Sequence, residues 1–279
     1  MTTQSFRFPR FFATAPGPCP YLPDRVERKV FTELAGPEPG ALNESLTHHG
    51  FRRSQMVAYR PSCDGCNACV SVRIPVDRFV PSANMRRVLK RGAAITRTVC
   101  QPWATDEQYD LLRRYLAARH PDGGMSNMDV GDYVEMIERS PVPTTIYEYR
   151  LAERLIGVCL TDHFCDGVSM VYSFFDPDCA AYSLGTYIIL DHIAVCAESG
   201  LPYVYLGYWI AGSRAMDDDF AAYAWTNDQR IEQLTGQHFS PRYRTQVLAD
   251  RQQRFDSGPI SLALTAVALT APTQEVAAL

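Results

Sequence analysis

Residues 144–176 hold three strand-like runs, TTIYEYRL, RLIGVCLTD and GVSMVYSFFD, separated only by the turn signals LAER and HFCDG. Links this short join antiparallel neighbours, because a parallel crossover takes a dozen residues or more. An antiparallel meander therefore lies in the middle of the chain, and whatever flanks it has to pack on that sheet.

The flanking segments read as helices. Thr105 followed by Gln108 is a capping box opening DEQYDLLRRYLAARH, which stops at Pro121 and puts Leu112, Tyr115 and Leu116 on one face. In MDVGDYVEMIERS, Val130, Tyr133, Val134 and Ile137 recur at helical spacing. After the meander, SLGTYIILDHIAVCAESG reads as a helix with Ser183 as N-cap and Gly200 as its stop, and YVYLGYWI as a buried strand. Helix, helix, three strands, helix, strand is an α+β order. It resembles the core of the Gcn5-related acyltransferases, in which the acyl donor sits where two central strands splay apart.

Before residue 100 the pattern is less regular. Prolines and glycines break TAPGPCPYLPD and LAGPEPGALN, leaving a short helix in NESLTHHGF, a strand in CVSVRIPV and a basic helix in SANMRRVLKRG ending at Gly92. Charge also changes there. Residues 1–100 carry 15 Lys and Arg against 7 Asp and Glu, the remainder 12 against 24, so the net charge of −4 conceals a basic front. Either an anionic partner such as nucleic acid meets that front, or a solvated surface is unevenly charged. The expected organisation is a small cysteine-containing unit at 1–100, an acyltransferase-like unit at 101–245 with a mostly antiparallel sheet, and a weakly ordered tail at 246–279.

Cysteine use bears on compartment. The first twenty residues contain no apolar signal-peptide core, and nine scattered cysteines suit a reducing cytoplasm better than a disulfide framework. The longest uncharged run, ISLALTAVALTAPTQ, is interrupted by Ser and Thr, so no membrane span is expected. Cys63, Cys66 and Cys69 form C-x2-C-x2-C, three of the four soft ligands of a tetrahedral metal. A bacterial ferredoxin run opens in the same way but continues with a fourth Cys followed by Pro, whereas here VSVRIP follows. Zinc, an iron-sulfur cluster, free thiols and ordinary packing are all open on spacing alone. The other cysteines read as core fillers.

Six segments, taken in order, carry a more specific likeness: FFATAPGPCPYLPDRVERKVFTEL, GFRRSQMVAYRPSCDGCNACVSVRIPVDRFVPSANMRRVLKR, RYLAARHPDGGMSNM, MVYSFFDPD, SLGTYIILDH and YLGYWI. From Phe12 to Ile210 the chain resembles the bacterial aminoacyl-tRNA protein transferases of the N-end rule pathway, nearest the aspartate/glutamate leucyltransferases and related to the arginyl-tRNA protein transferases. The resemblance implies transfer of leucine, or arginine, from charged tRNA to the α-amine of proteins beginning with Asp or Glu, which marks them for degradation. It also makes Cys19 the natural fourth ligand beside Cys63, Cys66 and Cys69, because eukaryotic relatives carry a paired cysteine motif at that place.

The implied reaction sets its own requirements. An aminoacyl ester is already activated, so no cofactor and no nucleophilic Ser or Cys is needed, and alignment of amine with carbonyl supplies most of the rate. Asp176 and Asp162, at strand ends, and Tyr208 are candidates for accepting or relaying the proton, although both aspartates also suit turns. An acidic acceptor residue calls for an arginine fork, with Arg52 and Arg53 first and Arg73 in reserve. Arg86, Arg87, Lys90 and Arg91 are candidate contacts to the tRNA backbone, and Gly185 and Thr186 at a helix start are candidates for its terminal phosphates. None of the six histidines is assigned a role.

The resemblance weakens after Ile210. Relatives continue with a basic, aromatic segment, whereas this chain reads AGSRAMDDDF, placing Asp217, Asp218 and Asp219 where positive charge is expected. Two functions follow: a working transferase, or a catalytically impaired relative that binds tRNA or protein termini.

Overall fold

The computed structural model describes residues 9–121, 123, 125–210, 220 and 223. Asp217, Asp218, Asp219 and the expected tail at 246–279 lie outside the described residues.

The first part of the chain forms β1 (Phe11–Ala13), β2 (Gly17–Pro18), β3 (Val26–Glu27), β4 (Lys29–Glu33), helix α1 (Pro39–His48), β5 (Arg52–Ser54) and β6 (Val57–Pro61). Helix α1 begins before the expected NESLTHHGF, because Pro39 at the first helical position loses no hydrogen bond there and has its φ preset. Strands β1, β4, β6 and β5 make a four-stranded antiparallel sheet whose core is Val30, Leu34, Leu46, Phe51, Ala58 and Val142. Sequence reading missed this sheet; its strands are short, and each acquires a face only beside its partner.

Then come β7 (Val70–Pro75), α2 (Ala83–Arg91), β8 (Ile95–Cys100), α3 (Asp106–Arg119), α4 (Val130–Glu138), β9 (Thr144–Leu151), β10 (Arg154–Phe164), β11 (Gly167–Phe175), α5 (Leu184–Glu198) and β12 (Tyr203–Trp209). The meander is β9, β10 and β11, antiparallel as its short links require. A six-stranded sheet in the order β7-β12-β11-β10-β9-β8 is built on it. Both edge strands come from the first 100 residues, so the basic front is stitched into the main sheet at two places. The chain is α+β, and the reading near residue 100 falls between β8 and α3.

Helices cover both faces. On one, Leu111, Leu112 and Leu116 of α3 and Tyr133 and Ile137 of α4 pack on Ile146, Val158, Leu160 and Phe174. On the other, Met85 and Val88 of α2 and Leu190 and Ile193 of α5 pack on Val72, Ile74, Val204 and Leu206. The capping box of α3 is present: the Gln108 N–H donates to Thr105 Oγ1 at 3.3 Å, and the Thr105 N–H to Gln108 Oε1 at 3.2 Å. Gly200 stops α5 with φ of 68°, the left-handed conformation that glycine adopts without steric cost. Ser183 occupies the N-cap position of α5 but caps nothing with its side chain.

One pairing is short. β11 and β12, neighbours in the middle of the sheet, run parallel and pair only over Gly167–Ser169 with Tyr203–Tyr205, although β11 continues to Phe175 and β12 to Trp209. At the same level β12 slips register against β7 between Tyr205 and Tyr208. Such an irregularity bends a strand, and here it accompanies the parting of β12 from β11.

Candidate functional site

The parting of β11 and β12 is where the sequence-derived residues begin to converge. Helix α5 starts there: a Cβ on Gly185 would lie 3.3 Å from the ring of Phe175, the last residue of β11. Helix α2 lies alongside, held close because Gly92 has no side chain; a Cβ there would meet the Tyr187 ring at 2.3 Å. Arg91 donates to Ser183 Oγ at 3.4 Å, just before α5. Arg86, Arg87, Lys90 and Arg91 are all exposed, while Met85 and Val88 face inward. A basic helix face and a helix N-terminus, ninety residues apart in the chain, are thus adjacent.

Other expected residues meet each other rather than an open site. Asp162 and Arg53, expected as proton acceptor and acceptor-binding fork, are joined at 0% and 1% side-chain exposure. Arg53 Nε donates to Asp162 Oδ2 at 2.6 Å and Nη2 to Oδ1 at 2.7 Å; Asn43 and Thr144 donate to the same carboxylate. Fully engaged in this way, neither is available to a substrate. Asp176 is likewise closed off, with 0% exposure, held by Arg114 at 3.0 Å, by Arg154 and by the Asp178 N–H at 3.0 Å. Burial favours its neutral form, but the Asp178 N–H and the two guanidiniums outweigh burial and hold the carboxyl below its ordinary range. A carboxylate so stabilised is a poor proton acceptor. Its place is that of a turn former, capping the turn Pro177–Tyr182.

Arg52 differs from Arg53. It is buried, its Nη1 and Nη2 donate to the carbonyls of Phe51 at 2.8 Å and Val72 at 3.3 Å, and its Nε has no partner. Its guanidinium lies 5.7 Å from the centroid of the Tyr208 ring, and burial lowers its pKa. The Tyr208 hydroxyl donates to Gly50 O at 2.8 Å and to Tyr59 O at 3.3 Å, so it ties β12 to the first part of the chain, and burial pushes its pKa up. Neither feature makes Tyr208 a ready proton relay. Arg73 stacks on Tyr203, 4.0 Å from the ring centroid.

The four cysteines of the candidate metal site line one pocket with Tyr21, Tyr59 and Tyr208. Burial, followed by the nearness of Cys63, Cys19 and Cys66, pushes the Cys69 thiol up to about 11. The Arg28 N–H donates to Cys63 Sγ at 3.4 Å, and the Cys66 N–H closes a tight turn on Cys63 O. Among the described residues no three of these sulfurs lie within 4.8 Å of one another. A single zinc holds thiolates at about 2.3 Å, hence roughly 3.8 Å apart, so one ion requires the pocket to tighten. Of the remaining cysteines, Cys159, Cys179 and Cys196 are buried as expected, whereas Cys165 is exposed and is no core filler.

Sequence reasoning assigned nothing to Glu44, His48 and Asp166, whose ligand atoms cluster where α1 meets the β10–β11 turn. The i,i+4 spacing of Glu44 and His48 was a readable signal.

A sheet whose central parallel strands part, with a helix opening at that point and a cationic helix beside it, is the arrangement expected of an acyltransferase-like domain. Residues 17–87 match the family described as arginine-tRNA-protein transferase, N terminus, and residues 107–219 match its C terminus. Relatives called aspartate/glutamate leucyltransferase include those of Rhizorhabdus wittichii, 57% identical over 77% of this chain and 83% of that one, and Sphingomonas elodea, 56% identical over 75% and 84%. The relative from Sphingopyxis alaskensis is 57% identical over 76% and 85%. The chain belongs to this family and is an aminoacyl-tRNA protein transferase. The family match continues through residue 219, past Ile210, and so takes in the three aspartates that had marked a departure. Among solved structures, L-PGS from Bacillus licheniformis is 16% identical with a TM-score of 0.38 over 56% of this chain and 50% of that one, too loose a likeness to argue from. Among the described residues no helix is long and apolar enough to cross a membrane.

Proposed function

We propose that this protein acts in the cytoplasm, transferring leucine from Leu-tRNA to the N-terminal α-amine of proteins that begin with Asp or Glu. The observation that carries the reading is the placing of α2 and the start of α5 together at the parting of β11 and β12. Exposed Arg86, Arg87, Lys90 and Arg91 would track the tRNA backbone, while the positive end of α5 at Gly185 and Thr186 favours the phosphates of its 3′ end. The ester carbonyl would then lie in the gap, open to an amine.

The chemistry asks little more. The α-amine attacks the carbonyl carbon, an amide bond forms, the ester C–O bond breaks, and the tRNA 3′ hydroxyl leaves with a proton. An α-amino group with pKa near 8 is partly neutral at pH 7, so alignment of amine and carbonyl supplies most of the rate. Asp162 and Asp176 are committed to arginines, and water or the departing 3′ oxygen is the better proton acceptor. For the acceptor's acidic side chain, Arg52 is the strongest of the three expected arginines, being buried without a carboxylate partner and with an unpaired Nε. Cys19, Cys63, Cys66 and Cys69 would hold a soft metal ion or cluster that braces the loops around Tyr208 and takes no part in transfer.

The test is to incubate the full chain with labelled Leu-tRNA or Arg-tRNA and model proteins beginning Asp, Glu, Arg or Lys. Leucine appearing on Asp and Glu starts is expected. Absence of transfer with every pair, with tRNA binding retained, would reject the reading.

A further inference from the structure

The last turn of α1 and the β10–β11 turn carry a cluster that the transfer reaction leaves unused. Glu44 and His48, four apart on α1, face the same way. His48 Nε2 lies 3.0 Å from Asp166 Oδ2, and the Tyr205 hydroxyl donates to that oxygen at 2.8 Å. The Cys165 thiol donates to Glu44 Oε1. The ligand atoms of Glu44, His48 and Asp166 all lie within 4.8 Å of one another, and among the described residues no other trio of His, Cys, Asp and Glu does so.

A second observation points to something missing from that arrangement. Asp166 Oδ1 is buried and accepts no hydrogen bond. An acceptor closed off from water with no donor is costly, more so when charged.

We propose that Glu44, His48 and Asp166 form a zinc site that clamps α1 to the β10–β11 turn, with the Cys165 thiol, now held on Glu44 and outside the trio, turning inward as fourth donor. Imidazole and thiolate select zinc over magnesium or calcium, which take oxygen ligands. The 3.0 Å between His48 Nε2 and Asp166 Oδ2 is already near the roughly 3.3 Å separating two ligands about 2.0 Å from a tetrahedral ion. Binding displaces the Cys165 thiol proton and the proton between His48 and Asp166, so affinity falls as pH drops. The role is structural: Asp166 precedes the first residue of β11, whereas the gap lies beyond Ser169. The clamp joins residues more than a hundred positions apart, where its stabilisation is greatest.

Wild type, Glu44→Gln and His48→Gln are stripped with chelator, loaded with zinc alone, desalted and assayed for metal. Any zinc in the cysteine pocket is common to all three and cancels. Wild type is expected to retain one more zinc per chain than either variant. Zinc is also expected to slow alkylation of exposed Cys165 at least tenfold in wild type and not in the variants, read by mass spectrometry at that residue. Should His48→Gln not fold, the isosteric Glu44→Gln decides alone. Equal zinc content, or Cys165 alkylation unaffected by zinc in wild type, overturns the assignment.

Discussion

Replacing Asp162 by Ala should nearly unfold this protein, and the size of the effect follows from four contacts. Arg53 would keep its charge at 1% exposure with only the Gln55 carbonyl, 3.0 Å away, as a remaining acceptor. Removing one member of a buried pair costs about 3–5 kcal/mol, because the other charge is left without compensation. Asn43 and Thr144 each lose an acceptor; Asn43 Oδ1 is already unpartnered, so its side chain would be left with nothing. At about 1 kcal/mol for each lost bond, the total is about 5–7 kcal/mol, comparable to the whole stability of many domains. Arg53→Met should cost less, about 3 kcal/mol, since Asn43 and Thr144 still donate to Asp162. The double variant Asp162→Ala/Arg53→Met removes both charges and should cost less than the two single changes added together, giving a coupling of at least about 2 kcal/mol. Urea unfolding followed by circular dichroism measures all four proteins. If Asp162→Ala instead remains within about 1 kcal/mol of wild type while leucine transfer disappears, the pair belongs to the chemistry and its structural assignment is wrong.

Other expectations rest on different parts of the molecule. His192 is wholly buried, and burial pushes its pKa down to about 4, against the Ile188 carbonyl and Asp191. The unfolded chain therefore takes up the proton first, so stability should fall as pH drops from about 6.5 toward 4, by on the order of 3 kcal/mol, and urea titrations of His192→Gln should show a flatter profile over that window. Replacing Arg86, Arg87 and Lys90 by Ala should lower the slope of log affinity for tRNA against log salt by about one per lost phosphate contact, as filter binding would show; an unchanged slope places the tRNA elsewhere. A Cβ at Gly167 would lie 2.2 Å from the Tyr203 carbonyl oxygen, a backbone atom that cannot swing aside. Gly167→Ala should thus cost at least about 1–3 kcal/mol in urea unfolding, and a neutral result would mean the β11–β12 contact is looser than described. Cys66→Ser should lower metal content and stability together; unchanged metal stoichiometry would refute the cysteine pocket as a metal site.

Local patterns in this chain determined local structure, and correctly where the signal was periodic or had a cap. Thr105 and Gln108 marked the start of α3, Gly200 the end of α5, and the short links around Glu153 and Asp166 the antiparallel meander. The family was legible as well, since long ordered motifs survive in the letters themselves. Partnership was not. Asp162 looked like a strand-end base and Arg53 a fork for substrate until the fold set them against each other across 109 residues. Asp176 met Arg154 and Arg114, and Arg91 reached Ser183, in the same way. Helical and strand periods record which face of an element is apolar; they carry no information about which charged side chain from a distant element will be opposite. That is decided when helices and sheet pack, because a buried charge persists only where packing delivers its counter-charge or its hydrogen bonds.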